Sequence, residues 1–100
     1  MRNDFVLNKL ISIFSIVPVV RAGVFGSYAR YEETEESDID LVVEIDLARE
    51  EHDYVYILWD LLEMETNKTI DLLTTNSLEN IPSEIVKNRI KQELRWIYEV

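Results

Sequence analysis

Two aspartates that lie one residue apart are the side chains of this sequence best suited to chemistry. Asp38 and Asp40 open an apolar run, and ten residues separate Asp38 from the pair Gly26-Ser27. Residues spaced i and i+2 on a β-strand point to the same face, so we expect both carboxylates to lie together. Carboxylates this close repel unless a proton or a cation lies between them. The pattern therefore predicts a magnesium site, because Mg²⁺ takes one or two carboxylates with waters and substrate phosphates; a solvated strand end is the alternative.

A third aspartate lies within another short apolar run, T-I-D-L-L at residues 69–73. We expect this run to be a mostly buried strand, in which a lone carboxylate such as Asp71 is costly unless it is paired or bound to metal. If this strand lies beside that of Asp38 and Asp40, three carboxylates converge and can hold two magnesium ions for displacement at phosphorus. The alternative is that Asp71 caps a sheet edge or pairs with Lys68.

The Gly26-Ser27 pair follows a predicted strand and precedes a predicted short helical turn. Glycine lets backbone N–H groups approach phosphate oxygens closely. A helix N-terminus adds further donors and a favourable dipole, and the Ser27 hydroxyl adds one more hydrogen bond. Arg30 lies one turn further along. It could meet a phosphate, or it could pair with Glu32 or Glu33.

The positioning elements follow from the apolar periodicity of the sequence. We predict helices at 4–15 and 48–65 and from Pro82, a helical turn at 27–31, strands at 19–25, 39–45 and 69–74, and a strand or docking tail at 96–100. Strands separated by helices indicate an α/β (α+β) fold with a small sheet flanked by helices. The first two strands are joined by only a turn and an acidic loop, so they should be antiparallel and the sheet mixed.

Composition narrows the class of protein. A chain of 100 residues with 47% hydrophobic residues predicts one packed domain, residues 1–100. No cysteine is present, which excludes disulfides and thiolate metal sites. We read no signal peptide and no spanning segment, and we expect a cytoplasmic protein with no membrane contact. The net charge of −10 disfavours binding to long nucleic acid and fits a protein that binds divalent cations or a basic partner.

Two segments together carry a family resemblance. The combination V-F-G-S-Y-A-R and S-D-I-D-L-V-V resembles the minimal nucleotidyltransferases of the DNA polymerase β superfamily, whose signature is G-S, ten residues, D-x-D and a later aspartate. The segments I-D-L-L-T and I-K-Q-E-L-R-W-I-Y-E extend the resemblance over nearly the whole chain. The resemblance implies a nucleotidyltransferase-like fold. It also implies ATP bound at Gly26 and Ser27, and two magnesium ions on Asp38, Asp40 and Asp71, the last of which helps to activate the attacking hydroxyl.

Single-domain members of this length resemble the MNT antitoxins, which are typically encoded with a HEPN-domain ribonuclease toxin. Such antitoxins transfer AMP from ATP to a tyrosine of the toxin, so the resemblance implies a hetero-oligomer with a HEPN-type toxin. One position departs from the pattern. Many relatives have glycine after the arginine, whereas Tyr31 follows Arg30 here. A bulky residue at this point could narrow the nucleotide pocket.

Three functions are compatible with these observations. The first is magnesium-dependent transfer of a nucleotide, AMP from ATP, to a protein hydroxyl. The second is an antitoxin that binds and occludes a basic partner without catalysis, which the twenty acidic residues favour. The third is nucleotide transfer to a small molecule, as in antibiotic-modifying relatives. Those relatives resemble larger chains with an added helical domain, for which this sequence leaves little room.

Overall fold

The computed structural model describes residues 4–46 and 51–100. Eight elements follow one another along the chain: α1 (Asp4–Phe14), β1 (Val19–Phe25), β2 (Ile39–Ile45), α2 (Glu51–Thr66), β3 (Ile70–Thr74), α3 (Thr75–Glu79), α4 (Glu84–Glu93) and β4 (Arg95–Glu99). None of the helices within the described ranges is long and apolar enough to cross a membrane.

The four strands form one mixed sheet in the order β3-β2-β1-β4. β1 is antiparallel to both β2 and β4, and β2 is parallel to β3. The predicted mixed sheet and the predicted antiparallel pairing of the first two strands are confirmed. The register places Phe25 opposite Asp40 and Asp40 opposite Asp71. Three neighbouring strands therefore bring the end of β1, the start of β2 and the start of β3 to one line across the sheet.

One face of the sheet is covered by α1 and α2. Both helices place apolar residues four positions apart against the strands, and Leu10, Phe14, Leu58 and Leu62 are all fully buried there. Burial of a side chain of this size stabilises the fold by about 1.5–3 kcal/mol. This face is the larger part of the core.

The opposite face is covered by α3 and α4. Val42 of β2 packs there against Leu78 of α3 and Ile90 of α4, and Leu73 of β3 is partly buried beside them. Side chains alternate between the two faces of a strand. Asp40 is therefore on the α3 and α4 side with Val42, and Asp71 is on the same side with Leu73.

Most predicted elements are confirmed. The start of the second helix was predicted at residue 48, and positions 48–50 lie outside the described residues. Of the two alternatives for the final segment, a strand or a docking tail, the strand is confirmed. The five-residue helix α3 was not predicted; its N-cap is Thr74, whose Oγ1 accepts from the N–H of Ser77 at 3.0 Å.

Candidate active site

Asp40 and Asp71 are the two carboxylates that the sheet brings together. Their Cα atoms are partners in the parallel β2–β3 ladder, and their side chains lie on the same face. Asp40 is half-buried. Burial first, and then a hydrogen bond to Asp71 and the negative charges of Asp71 and Asp38, raise the pKa of Asp40 from 3.8 to about 6. The pair therefore carries an unfavourable concentration of negative charge that a proton or a cation would relieve.

The expectation that Asp71 is buried is wrong. Ile70 and Leu72 on either side of it are buried, but Asp71 itself is exposed. β3 is an edge strand, and the helices on this side pack further along the strands, against Val42 and Leu73. The start of β3 thus stays accessible to solvent. The alternative that Asp71 pairs with Lys68 is not observed. Lys68 Nζ instead donates to the carbonyl of Glu35 at 2.7 Å.

Asp38 lies one residue before β2 and is exposed. It is close enough for its charge to contribute to the raised pKa of Asp40. Among the side chains that the structure describes, however, no group of three from His, Cys, Asp and Glu is close enough to hold a metal ion. The structure thus pairs Asp40 with Asp71 and places Asp38 nearby, without assembling the expected set of three carboxylates.

Gly26 packs against the Asp40 carboxylate. Its φ of +69° lies in the left-handed region that favours glycine. A Cβ at this position would overlap Asp40 Oδ2 and lie 3.2 Å from Asp40 Cγ. Glycine is therefore required both by the backbone conformation and by the approach of the carboxylate. This contact explains physically why a glycine turn and the second aspartate of D-x-D occur together.

Ser27 and Arg30 belong to a single helical turn that follows Gly26. The N–H of Arg30 donates to the carbonyl of Gly26 at 3.2 Å, and the N–H of Glu32 donates to the carbonyl of Ser27 at 2.9 Å. This geometry confirms the predicted helical turn. Ser27 is half-buried within it.

Arg30 forms two ion pairs. Its Nε donates to Glu32 Oε1 at 2.7 Å, as one of the sequence alternatives anticipated, and its Nη1 donates to Glu93 Oε2 at 2.9 Å. Hydrogen bonding to Glu32, together with that to Glu93, raises the pKa of Arg30. The exposed guanidinium therefore stays charged beside the Gly26 turn.

A cavity of about 430 Å³ opens where this turn meets the C-terminal half of α4. Its lining includes three predicted site residues, Gly26, Arg30 and Asp40, and four others, Phe25, Arg89, Ile90 and Glu93. Its volume is within the usual range for sites of small molecules and cofactors. Ser27, Asp38 and Asp71 are not among its lining residues.

The sequence did not predict a role at the site for Arg89 and Glu93, the two charged residues that α4 contributes to the lining of the cavity. Arg89 falls in the otherwise apolar stripe of the last helix, and a charge at such a position was the available signal. Glu93 lies in the segment I-K-Q-E-L-R-W-I-Y-E, which served only to extend the family resemblance. Both residues line the cavity beside Gly26 and Asp40.

Tyr31 also adopts a left-handed conformation, with φ of +59°, which explains why glycine suits this position. The centroid of the Tyr31 ring lies 4.4 Å from the guanidinium carbon of Arg95, in a cation–π contact. Tyr31 is not among the residues that line the cavity. The narrowing of the nucleotide pocket by this side chain stays a prediction.

Comparison with protein families and sequences identifies relatives of the chain. Residues 8–99 match the family described as "Polymerase beta, Nucleotidyltransferase". The protein named "Putative protein adenylyltransferase MJ0435" of Methanocaldococcus jannaschii is 39% identical over 93 residues, which cover 93% of this chain and 95% of the relative. A second protein of that organism, "Putative protein adenylyltransferase MJ1379", is 40% identical over 75 residues, which cover 74% of this chain and 72% of the relative.

Comparison with solved structures finds the same fold. The "Structure of putative minimal nucleotidyltransferase" has a TM-score of 0.67 and 26% identity, and the match covers 95% of each chain. The "Crystal structure of the toxin-antitoxin with AMP-PNP" has a TM-score of 0.69 and 19% identity, covering 94% of this chain and 73% of that chain. A tri-AMPylated Shewanella oneidensis HEPN toxin in complex with MNT antitoxin has a TM-score of 0.66 and 17% identity, covering 97% and 72%.

The sequence matches and the site geometry agree with each other. The family match spans both the Gly26 turn and β3, and the structure packs Gly26 against Asp40 and pairs Asp40 with Asp71. The chain belongs to the polymerase beta nucleotidyltransferase family.

Proposed function

We propose that residues 1–100 form one minimal nucleotidyltransferase domain that transfers AMP from ATP to a protein hydroxyl, with magnesium. More narrowly, we propose an antitoxin that modifies a tyrosine of a HEPN-type toxin in the cytoplasm and forms a hetero-oligomer with it. The observation that carries this proposal is the contact of the Gly26 turn with Asp40, beside Asp71 on the next strand. The names of the M. jannaschii relatives and the toxin–antitoxin structures with this fold support it.

The donors of the Gly26 turn suit a triphosphate. The N–H of Gly26 faces the cavity side that α4 closes, and the Arg30 guanidinium lies one turn away. We assign binding of the phosphates to the Gly26 N–H, Ser27 and Arg30. Hydrogen bonds between charged donors and phosphate oxygens are stronger than neutral ones, and a guanidinium can present two donors at once.

The carboxylates suit magnesium. Asp40 and Asp71 present oxygen donors on one face. Burial, and then the hydrogen bond to Asp71 and its negative charge, raise the pKa of Asp40. The adjoining cavity has room for phosphates and waters. We assign the metal to Asp40 and Asp71, the two carboxylates that the structure pairs. Asp38 lies outside this pair, and we propose it as a further ligand, with two ions as the full set. The bound metal would neutralise triphosphate charge and lower the pKa of the acceptor hydroxyl.

The transfer conserves atoms and charge. The acceptor oxygen forms a bond to the α-phosphorus of ATP, the bond from that phosphorus to the bridging oxygen breaks, and diphosphate leaves. We assign removal of the hydroxyl proton to the Asp71 carboxylate. Asp71 is accessible from solvent and lies beside Asp40, so a protein side chain can approach it from outside.

Transfer of labelled AMP tests the proposal. Wild type, labelled ATP, magnesium and a HEPN-type toxin as acceptor should yield a labelled toxin. The double variant Asp38→Asn/Asp40→Asn should lose this labelling. Asp60→Asn is the matched control, because Asp60 is an exposed aspartate on α2, the helix that covers the other face of the sheet. Equal labelling by wild type and the double variant would show that the site is elsewhere.

Occlusion of a basic partner without catalysis is the second candidate. The net charge of −10 favours it, and so do the exposed Glu32, Glu35 and Glu36 of the loop before β2. If the double variant Asp38→Asn/Asp40→Asn neutralises the partner fully, occlusion is the correct account. If the variant binds the partner but no longer neutralises it, occlusion is excluded.

A further inference from the structure

The carboxylate of Glu93 uses both of its oxygens on the candidate phosphate donors. Oε1 accepts from the N–H of Gly26 at 3.1 Å, and Oε2 accepts from Arg30 Nη1 at 2.9 Å. The Glu93 side chain is only 23% exposed, and it lines the cavity that also contains Asp40. An internal anion therefore holds two of the groups that the proposed function assigns to the triphosphate.

The packing of α4 places Glu93 at this point. Ile90, one turn earlier, is buried against Val42 on the sheet. Leu94 follows Glu93 and lies so close to β1 that a Cβ on Gly23 would be 2.7 Å from Leu94 Cδ1. These two contacts fix the end of the helix over β1. The packing contacts of Ile90 and Leu94 therefore fix the position from which Glu93 reaches the Gly26 turn. An ion pair between two exposed, flexible side chains has no such constraint.

We propose that Glu93 occupies the place of a nucleotide phosphate and that ATP must displace it from Gly26 and Arg30 in order to bind. This inference rests on the proposed function. A carboxylate and a phosphate are both anionic acceptors that compete for the same N–H donors, and they repel each other at close range. Arg89 lies four residues before Glu93 on α4 and lines the same cavity. It can receive the displaced carboxylate, because side chains at i and i+4 are neighbours on a helix.

When ATP displaces Glu93, the contacts of this carboxylate with Gly26 and Arg30 are broken. The free energy of these contacts is subtracted from that of nucleotide binding, so the affinity for nucleotide is lower. Hydrogen bonds to charged groups are the stronger kind in proteins, and partial exposure weakens them. We expect Glu93→Gln, which keeps the shape but removes the charge, to bind magnesium–ATP about tenfold more tightly than wild type. The same factor should appear with magnesium–tripolyphosphate, because the effect concerns phosphate and not the base. In the transfer reaction, the KM for ATP should fall more than kcat changes.

Glu32→Gln is the matched control. Glu32 also pairs with Arg30, at 2.7 Å, and its substitution makes the same change in net charge. Glu32 is not among the lining residues of the cavity. We therefore expect its variant to change the affinity less than threefold. An equal gain in affinity in both variants would show that the change in net charge alone causes the effect, and would overturn the inference.

Calorimetry with both probes measures these affinities, and the ¹H–¹⁵N signal of Gly26 reports directly on its N–H. In wild type, saturation with magnesium–tripolyphosphate should shift this signal as the acceptor changes from carboxylate to phosphate. Glu93→Asp keeps the charge but is one methylene shorter, so its affinity should lie between those of wild type and Glu93→Gln. This second variant covers the case in which Glu93→Gln unfolds.

The outcomes separate this inference from the proposed function. If wild type transfers AMP but Glu93→Gln and Glu93→Asp bind both probes no more tightly than wild type, the inference is wrong and the proposed function stands. If neither wild type nor any variant binds either probe, both are wrong. Tighter binding by Glu93→Gln, without a comparable gain in Glu32→Gln, supports the inference.

Discussion

Replacement of Asp40 by asparagine should stabilise the metal-free protein, although it removes a residue proposed to be essential for activity. Asp40 is half-buried beside Asp71, and this environment raises its pKa from 3.8 to about 6. A difference of about two units corresponds to about 3 kcal/mol, since each unit is worth about 1.4 kcal/mol. The carboxyl is only partly buried, so solvent screening reduces the expected contribution to about 1 kcal/mol.

The pH dependence has a defined sign. A group whose pKa is raised on folding binds its proton more tightly in the folded state than in the unfolded chain. The contribution of protonated Asp40 to the stability of the fold is therefore fully present below its unfolded pKa, taken as 3.8. It is lost as the pH rises through the folded pKa of about 6. The asparagine side chain of the variant does not titrate and carries no such dependence. We therefore compare the free energy of unfolding of Asp40→Asn with that of wild type at two pH values. The variant's advantage over wild type should be about 1 kcal/mol larger at pH 7.5 than at pH 4.

Urea denaturation with EDTA at the two pH values measures this difference. Asp60→Asn is again the control, because Asp60 is exposed on α2, and its difference from wild type should not change with pH. Magnesium should stabilise wild type at pH 7.5 and leave Asp40→Asn nearly unchanged, since a ligand that binds only the folded state raises its stability. A variant that is less stable than wild type at pH 7.5, or whose difference is the same at both pH values, would refute the account of the carboxylate pair.

Three further substitutions test the local structure. Gly26→Ala should lower the free energy of unfolding by about 2 kcal/mol in thermal denaturation, because alanine is strained at φ +69° and its Cβ displaces the Asp40 carboxylate. This loss should be smaller in an Asp40→Ala background, and an equal loss in both backgrounds would exclude the contact. Trp59→Phe should lose about 1–3 kcal/mol in urea denaturation, because it removes the 2.7 Å hydrogen bond to the carbonyl of Ile70; an unchanged midpoint would contradict this. Ser83→Ala should cost about 1 kcal/mol, since the Ser83 hydroxyl caps α4; calorimetry that shows no change in Tm would argue against the cap.

Much of the fold follows from local patterns in the sequence. β1 and β2 begin and end at the predicted residues, because both are mostly apolar segments bounded by turn residues. The spacing of Asp40 relative to Val42 also gives the face on which the carboxylate lies. By contrast, α3 has only five residues and one cap to reveal it, too little for periodicity to detect.

The remainder of the site depends on contacts between distant parts of the chain. The exposure of Asp71 follows from the order of the strands, which leaves β3 at an edge, and no local pattern contains that order. Gly26 and Glu93 are 67 residues apart in sequence. Their hydrogen bond exists only because α4 packs over β1, and nothing in the residues around either of them connects the two.

Diffraction from crystals that contain a non-hydrolysable ATP analogue and Mn²⁺ tests the central claim most directly. Manganese replaces magnesium in sites of oxygen ligands and is located by its anomalous signal. The account predicts an anomalous peak at the carboxylates of Asp40 and Asp71, with the triphosphate on the N–H of Gly26 and the guanidinium of Arg30. A nucleotide bound elsewhere, or a manganese peak away from both aspartates, would contradict it.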